Sequence, residues 1–284
     1  MPLTVAILAP GNMGAAVGAR LVENGVRVVT ALEGRSASSA ARAAAAGMAG
    51  ASDAEIAQAD FILSIVPPGE ALPFAERLVP ALRATGAKPL FIDCNAVSPA
   101  TALRVAAVIE QTGCAFADGG IIGAPPKPGD KGPRFYLSGP AATRAAVLGD
   151  HGLIVRIMDG AIGEASALKM CYASLTKGFT ALGAASALAA ERSGVAEALR
   201  AELSASQPHM LGFLDRNLPA MFSKAYRWVA EMDEIAAFFD SEAERTMLAG
   251  SARLYERLAA DEAGPQDEIA TLSAFRGRER RAPK

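Results

Sequence analysis

No segment constrains this chain more than residues 7–21, ILAPGNMGAAVGARL. An apolar run over 4–8 predicts a buried strand, and a helix-prone segment over 15–24 ends at Gly25. Between them Ala9, Gly11 and Gly14 keep the G-x-G-x-x-G spacing, with Ala9 in the first glycine's place. A tight turn accepts alanine there provided φ stays negative. Backbone without side chains lets a pyrophosphate come close, and a helix start offers unpaired N–H groups and the positive end of its dipole. The strand before and the helix after set this stretch apart from a chance glycine pair. Ala9, Pro10, Gly11, Asn12, Met13 and Gly14 are accordingly the first candidate dinucleotide contacts.

The alternation continues. Strands are predicted over 26–31, 61–66 and 89–93, with helices over 38–46 and 71–85. Short, continuously apolar runs between helices are what a parallel sheet covered on both faces requires. Further strands are predicted over 115–118, 134–138 and 154–158. After Gly163 the composition turns to long Ala/Leu/Glu/Arg stretches at helical spacing. The expectation is an α/β Rossmann domain over 1–163 and an all-α domain over 164–284. A long interdomain helix from about residue 165 to 192 joins them. No internal repeat interrupts this plan, and the Ala-rich stretch 37–51 is helix-prone rather than a linker.

Lys and Arg (28) nearly balance Asp and Glu (30), which argues against a nucleic-acid partner, whose phosphates demand clustered cations. One basic cluster, Arg276, Arg278, Arg280, Arg281 and Lys284, reads as a solvated terminus. Cys94, Cys114 and Cys171 lack metal-ligand spacing and read as reduced thiols, and His151 with His209 cannot build a His-rich metal site. No metal is expected. The small-residue run over 180–190, bounded by Lys177 and Glu191, is shorter than a bilayer span, and no signal-like core opens the sequence. A cytoplasmic protein with a small-molecule substrate and no membrane partner is expected.

The second strand runs into Glu33, Gly34, Arg35 and Ser36. An acidic residue here would hold the ribose hydroxyls of NAD, whereas Arg35 with Ser36 would hold the 2′-phosphate of NADP. Two phosphate donors after the strand tip the expectation towards NADP. Val66 and Pro67, where the 61–66 strand ends, complete the cofactor candidates on this side.

Four blocks resemble the β-hydroxyacid dehydrogenase family, relatives of 6-phosphogluconate and 3-hydroxyisobutyrate dehydrogenases, over nearly the whole chain. They are APGNMG over 9–14, DCNAVSP over 93–99, DGGIIGA over 118–124, and Gly160-x-x-Gly163 followed by Lys169. The chain looks closest to a bacterial phosphogluconate-dehydrogenase-like branch. The resemblance implies hydride transfer between nicotinamide and a small hydroxy acid or related alcohol, with Lys169 as general acid/base. The chemistry is coherent. Oxidising an alcohol needs a base within reach of the hydroxyl, and a lysine serves only when neutral, a state that burial beside a cationic ring favours. The resemblance also implies a homodimer.

Departures from the family pattern bear on the substrate. Ala173 stands where the family has Asn, and Tyr172, on the face of Lys169, is a candidate replacement. Asn95 replaces a Ser and is a candidate contact to nicotinamide or substrate. Ile122 replaces a carboxylate-holding Ser, leaving the backbone of Gly123 and Ala124 to serve an anion. The family's Lys-Asp pair in the helical domain is absent from the stretch 228–234, where Trp228, Glu231 and Glu234 fall near one stripe. If that stripe lines the pocket, a dianionic acid is repelled, and a neutral, aromatic or amino-bearing substrate end is expected. Two alternatives share the fold: an imine reductase, whose relatives usually carry Asp or Tyr at the lysine position, and a non-catalytic nucleotide sensor.

Overall fold

Residues 3–277 are described by the computed structural model, and the chain separates into two units, one ending at Met170 and the other beginning at Cys171. The division falls inside a helix, whereas the compositional expectation put the boundary at Gly163.

Among the described residues the first unit contains eight strands: β1 (Thr4–Ile7), β2 (Arg27–Thr30), β3 (Ala49–Gly50), β4 (Phe61–Ser64), β5 (Leu90–Asp93), β6 (Ala115–Ile122), β7 (Arg134–Ser138) and β8 (Ile154–Ile157). They form one sheet in the order β3-β2-β1-β4-β5-β6-β7-β8. All neighbours run parallel except β6 and β7. The helices α1 (Asn12–Glu23), α2 (Ala37–Ala45), α3 (Asp53–Ile56), α4 (Ala71–Ala84) and α5 (Pro99–Glu110) connect the parallel strands.

Alternation along β1 shows why both faces must be covered. Val5 and Ile7 enter one apolar cluster with Val17 and Leu21 of α1, while Ala6 and Leu8 enter another with Leu78 of α4 and Val105 of α5. Each fully buried Leu, Ile or Val side chain contributes about 1.5–3 kcal/mol, so both layers are needed to retain the sheet.

Several elements depart from the expectation, the short β3 and α3 among them. Helix α5 is absent from it, although Ser98 caps the helix and Pro99 occupies its first turn, both start signals. Strand β6 runs to Ile122 rather than stopping at Asp118. Gly119 and Gly120 lower its intrinsic preference, but β7 supplies the ladder, pairing Asp118 with Ser138 and Ile122 with Arg134.

Helix α6 (Glu164–Arg192) leads from the first unit into the second. The second unit adds α7 (Ala196–Ser206), α8 (Pro208–Phe222), α9 (Ala225–Phe238), α10 (Glu242–Ala263) and α11 (Asp267–Gly277). Tyr255 of α10 is fully buried there, its hydroxyl donating to the Lys177 carbonyl at 2.6 Å. Arg200 of α7 grips Asp215 of α8 through two bonds of 2.8 and 3.0 Å. Of the basic cluster, Arg276 lies in α11, and positions 278, 280, 281 and 284 lie outside the described residues. Among the described residues no helix is long and apolar enough to cross a membrane, and no group of His, Cys, Asp and Glu could hold a metal ion.

Candidate functional site

The carboxyl ends of β1, β2, β4, β5 and β6 share one edge of the sheet, and the order reverses between β1 and β4. Such a switch point is where open α/β sheets receive ligands, because the loops on either side diverge. Ala9 to Gly14 leave β1 at this edge. Ala9 and Pro10 are buried, Gly11 and Met13 partly so, and Asn12 is exposed. The two glycines serve different ends. A Cβ on Gly14 would lie 2.2 Å from the Ala9 carbonyl oxygen, so helix and turn close only over bare backbone. A Cβ on Gly11 would meet no atom of the described residues within 4 Å, so packing among them does not require glycine there. With the open first turn of α1, this is a cradle that fits a phosphate.

Beyond β2, Glu33 is exposed and Arg35 partly buried. The Arg35 guanidinium lies 5.0 Å from the centre of the Phe74 ring, and its Nη2 is buried without a hydrogen-bond partner among the described residues. Arg77, gripped by Asp53, also sits over Phe74, at 5.2 Å, and its bond to Asp53 raises its pKa. Ser36 caps α2, accepting the Ser39 N–H at 3.3 Å. The sequence reading missed Arg42, whose Nε donates to the Pro10 carbonyl at 3.0 Å and whose Nη2 donates to Ser39 at 3.0 Å. It ties α2 to the glycine loop. Its only sequence signal is an arginine on a small helix.

Asn95 is 2% exposed, and its amide bonds within the protein. Its Oδ1 accepts the Val66 N–H at 2.6 Å, while Nδ2 donates to Ser64 at 2.8 Å and to Asp93. The side chain brackets the ends of β4 and β5 and sets the backbone leading to Pro67. Asp93 is buried, and its Oδ2 has no hydrogen-bond partner among the described residues. Burial pushes its carboxyl up to about 7; the Asn95 N–H opposes this and the charge of Asp118 adds to it. Burial, with Asp93 and Asp118 beside it, pushes the Cys94 thiol well above its usual range. Cys94 and Cys114 are buried and Cys171 exposed, all as free thiols.

Lys169, on α6, is partly buried and donates from Nζ to the Ile121 carbonyl of β6. The amine therefore stands at the sheet edge that also carries the glycine loop. Ile122 is buried at the end of β6, and Gly123, at φ +132, and Ala124 are exposed. The following loop is tied to α1 by Arg20, which donates to the carbonyls of Lys127 and Asp130 at 2.9 and 3.1 Å.

In the second unit Tyr172 is 48% exposed and Ala173 is buried. Trp228 stands partly buried, its ring at 5.1 Å from Tyr255 and edge-on to it. Glu231 does not present the bare negative charge expected of an acidic stripe. Lys177 of α6 pairs with it and lies 5.6 Å from the Trp228 ring. The counter-charge comes from a different helix, which is why the stretch 228–234 did not reveal it.

A family model described as the NAD binding domain of 6-phosphogluconate dehydrogenase matches residues 4–160, more than half of the chain. A domain of unknown function, DUF1932, matches residues 190–258. No curated protein matches the chain. Among solved structures, 3-hydroxyisobutyrate dehydrogenase from Mycobacterium tuberculosis, studied with L-serine, is 26% identical. The match covers 98% of this chain and 100% of that one, at a TM-score of 0.70. A conserved protein of unknown function, described as structurally similar to 3-hydroxyacid dehydrogenases, is 27% identical over 95% of this chain and 99% of its own, at 0.69. A variant imine reductase from Myxococcus stipitatus, in complex with NAD+, is 21% identical over 97% of this chain and 99% of that one. Its TM-score of 0.59 makes it a likeness of fold alone.

Proposed function

The chain belongs to the β-hydroxyacid dehydrogenase family, and on that premise we propose that it is a nicotinamide-dependent oxidoreductase acting on the CH–OH group of a small hydroxy acid or related alcohol, with Lys169 as its general acid/base. The observation that carries this reading is the Lys169 amine on the Ile121 carbonyl, at the same sheet edge as the glycine loop. A bound nicotinamide supplies the hydride acceptor. The residues that would hold the dinucleotide are Ala9 to Gly14 at the pyrophosphate, Arg35 and Ser36 at a 2′-phosphate, and Val66 and Pro67 towards the ring, with Asn95 setting their backbone. Arg35 and Ser36 favour NADP over NAD.

Neutral Lys169 takes the hydroxyl proton as the carbinol carbon loses hydride, leaving a carbonyl and an ammonium. In the reverse direction the ammonium returns that proton to the forming alkoxide. The backbone of Gly123 and Ala124, exposed after β6, serves a substrate carboxylate in place of the family's serine. Tyr172, Trp228 and Glu231 remain candidates for substrate selection. Because Lys177 balances Glu231, the reading no longer excludes acidic substrates.

The reading includes a cytoplasmic location and a homodimer; the homodimer is supported by Leu175 and Leu182 of α6, which are 74% and 64% exposed. Sedimentation velocity at micromolar concentration should return twice the chain mass. The central test titrates the protein with NADPH and NADH by fluorescence, then assays hydroxy acids, amino alcohols and cyclic imines with the tighter cofactor. Turnover of a hydroxy acid that disappears in Lys169→Ala, with cofactor binding kept, is the expected result. Turnover of cyclic imines alone would overturn the substrate class.

A further inference from the structure

The geometry points to Asp118 as a positioning residue for Lys169: it locks the first turn of α6 to strand β6, so that the amine is presented from a fixed origin. Its functional meaning rests on the acid/base reading of Lys169, while its geometry does not.

Asp118 is fully buried. Its Oδ2 accepts from the Gly163 N–H at 3.0 Å, the Ser166 N–H at 2.8 Å and the Ser138 hydroxyl at 3.2 Å. Its Oδ1 accepts from the Ser166 hydroxyl at 2.6 Å. Ser138, paired with Asp118 in register across β7, accepts the Ala165 N–H at 3.0 Å. Two side chains from adjacent strands thus take three amides at the start of α6. A carboxylate out of water is costly, and here four donors and the positive end of a 29-residue helix offset that cost.

The same strand then fixes the helix twice more. Gly120 faces the same side as Asp118, and a Cβ there would lie 2.8 Å from the Ala165 carbonyl oxygen and 3.2 Å from Lys169 Cβ. One residue on, the Ile121 carbonyl accepts Lys169 Nζ. Cap, bare-backbone contact and ammonium anchor therefore come from three positions within one four-residue stretch of β6, Asp118, Gly120 and Ile121. A long lysine side chain has many rotamers, so its reach is set by where its helix begins. Misplacing a reacting group by about 1 Å costs on the order of a hundredfold in rate. Asparagine cannot replace this carboxylate, because its amide nitrogen would face donors.

The test is competitive labelling of the folded protein by trace acetic anhydride, with peptide mapping of Lys169 against Lys88. Lys88 is a suitable reference because its Nζ also donates to backbone carbonyls, those of Leu82 and Thr112, at 2.8 and 2.7 Å. In Asp118→Asn the labelling of Lys169 relative to Lys88 should rise about threefold or more, and Ser166→Ala should give a smaller rise. NADPH affinity should stay within about twofold, since the glycine loop is untouched. An unchanged ratio, or an equal rise at both lysines, overturns the proposal, the second outcome marking general loosening. Should Asp118→Asn fail to fold, Ser166→Ala and Ser138→Ala decide it alone. Hydroxy-acid turnover surviving Lys169→Ala sinks the acid/base reading instead, leaving the labelling result intact.

Discussion

Lys177 and Glu231 meet as an ion pair that joins α6 to α9, with the Trp228 ring 5.6 Å from the ammonium. Their side chains are only 11% and 21% exposed, so neither charge is well hydrated by itself. Glu231→Gln leaves the ammonium without its counter-charge and should destabilise the helical unit by about 1–3 kcal/mol. Urea unfolding followed by Trp228 fluorescence reads this directly, since that ring is the chain's one tryptophan. An unshifted midpoint would show the pair to be energetically neutral.

Asp93 makes stability depend on pH with a sign opposite to most carboxylates. Its ordinary pKa of 3.8 applies to the unfolded chain, and about 7 to the folded one. Between these values the unfolded chain has lost a proton that the folded chain keeps, so folding takes one up. The stabilisation is complete below 3.8 and is lost as pH rises through about 7. The melting temperature should therefore fall from pH 5 to pH 8, and Asp93→Asn, which stays neutral, should flatten that slope. Parallel profiles in the two proteins would refute the assignment.

The glycine loop separates folding from binding. Gly14→Ala drives a methyl group to 2.2 Å from the Ala9 carbonyl oxygen and should cost about 1–3 kcal/mol of stability. Gly11→Ala meets nothing among the described residues and should melt normally, yet weaken NADPH binding about tenfold or more. Differential scanning fluorimetry and a fluorescence titration on the two variants decide the matter. Normal NADPH binding by Gly11→Ala would remove the phosphate from this loop.

Arg35 should set cofactor choice. Its Nη2 has no hydrogen-bond partner among the described residues, and Arg35→Ala should weaken NADPH by about ten- to a hundredfold while leaving NADH within about twofold. Equal losses for both cofactors would instead assign Arg35 to packing against Phe74.

Local sequence determined much of the succession of strands, turns and helices in the first unit, because the central strands β1, β4 and β5 are buried and must be largely apolar. It also made the glycine loop legible, since phosphate approach demands particular residue types within six positions. Lys169 entered through family resemblance and its place among apolar neighbours.

Tertiary structure decided what depends on a partner distant in sequence. Strand β6 passes through Gly119 and Gly120 only because β7 supplies its hydrogen bonds. Asn95 was expected to face a ligand, yet Ser64, Asp93 and Val66 engage its amide from two strand ends. Glu231 acquired a counter-ion from a helix more than fifty residues away, and Asp118 acquired its role from amides forty-five and forty-eight residues on. Periodicity reports which face of an element is buried. The charge, bond or backbone atom waiting on that face belongs to another part of the chain, and only folding brings it there.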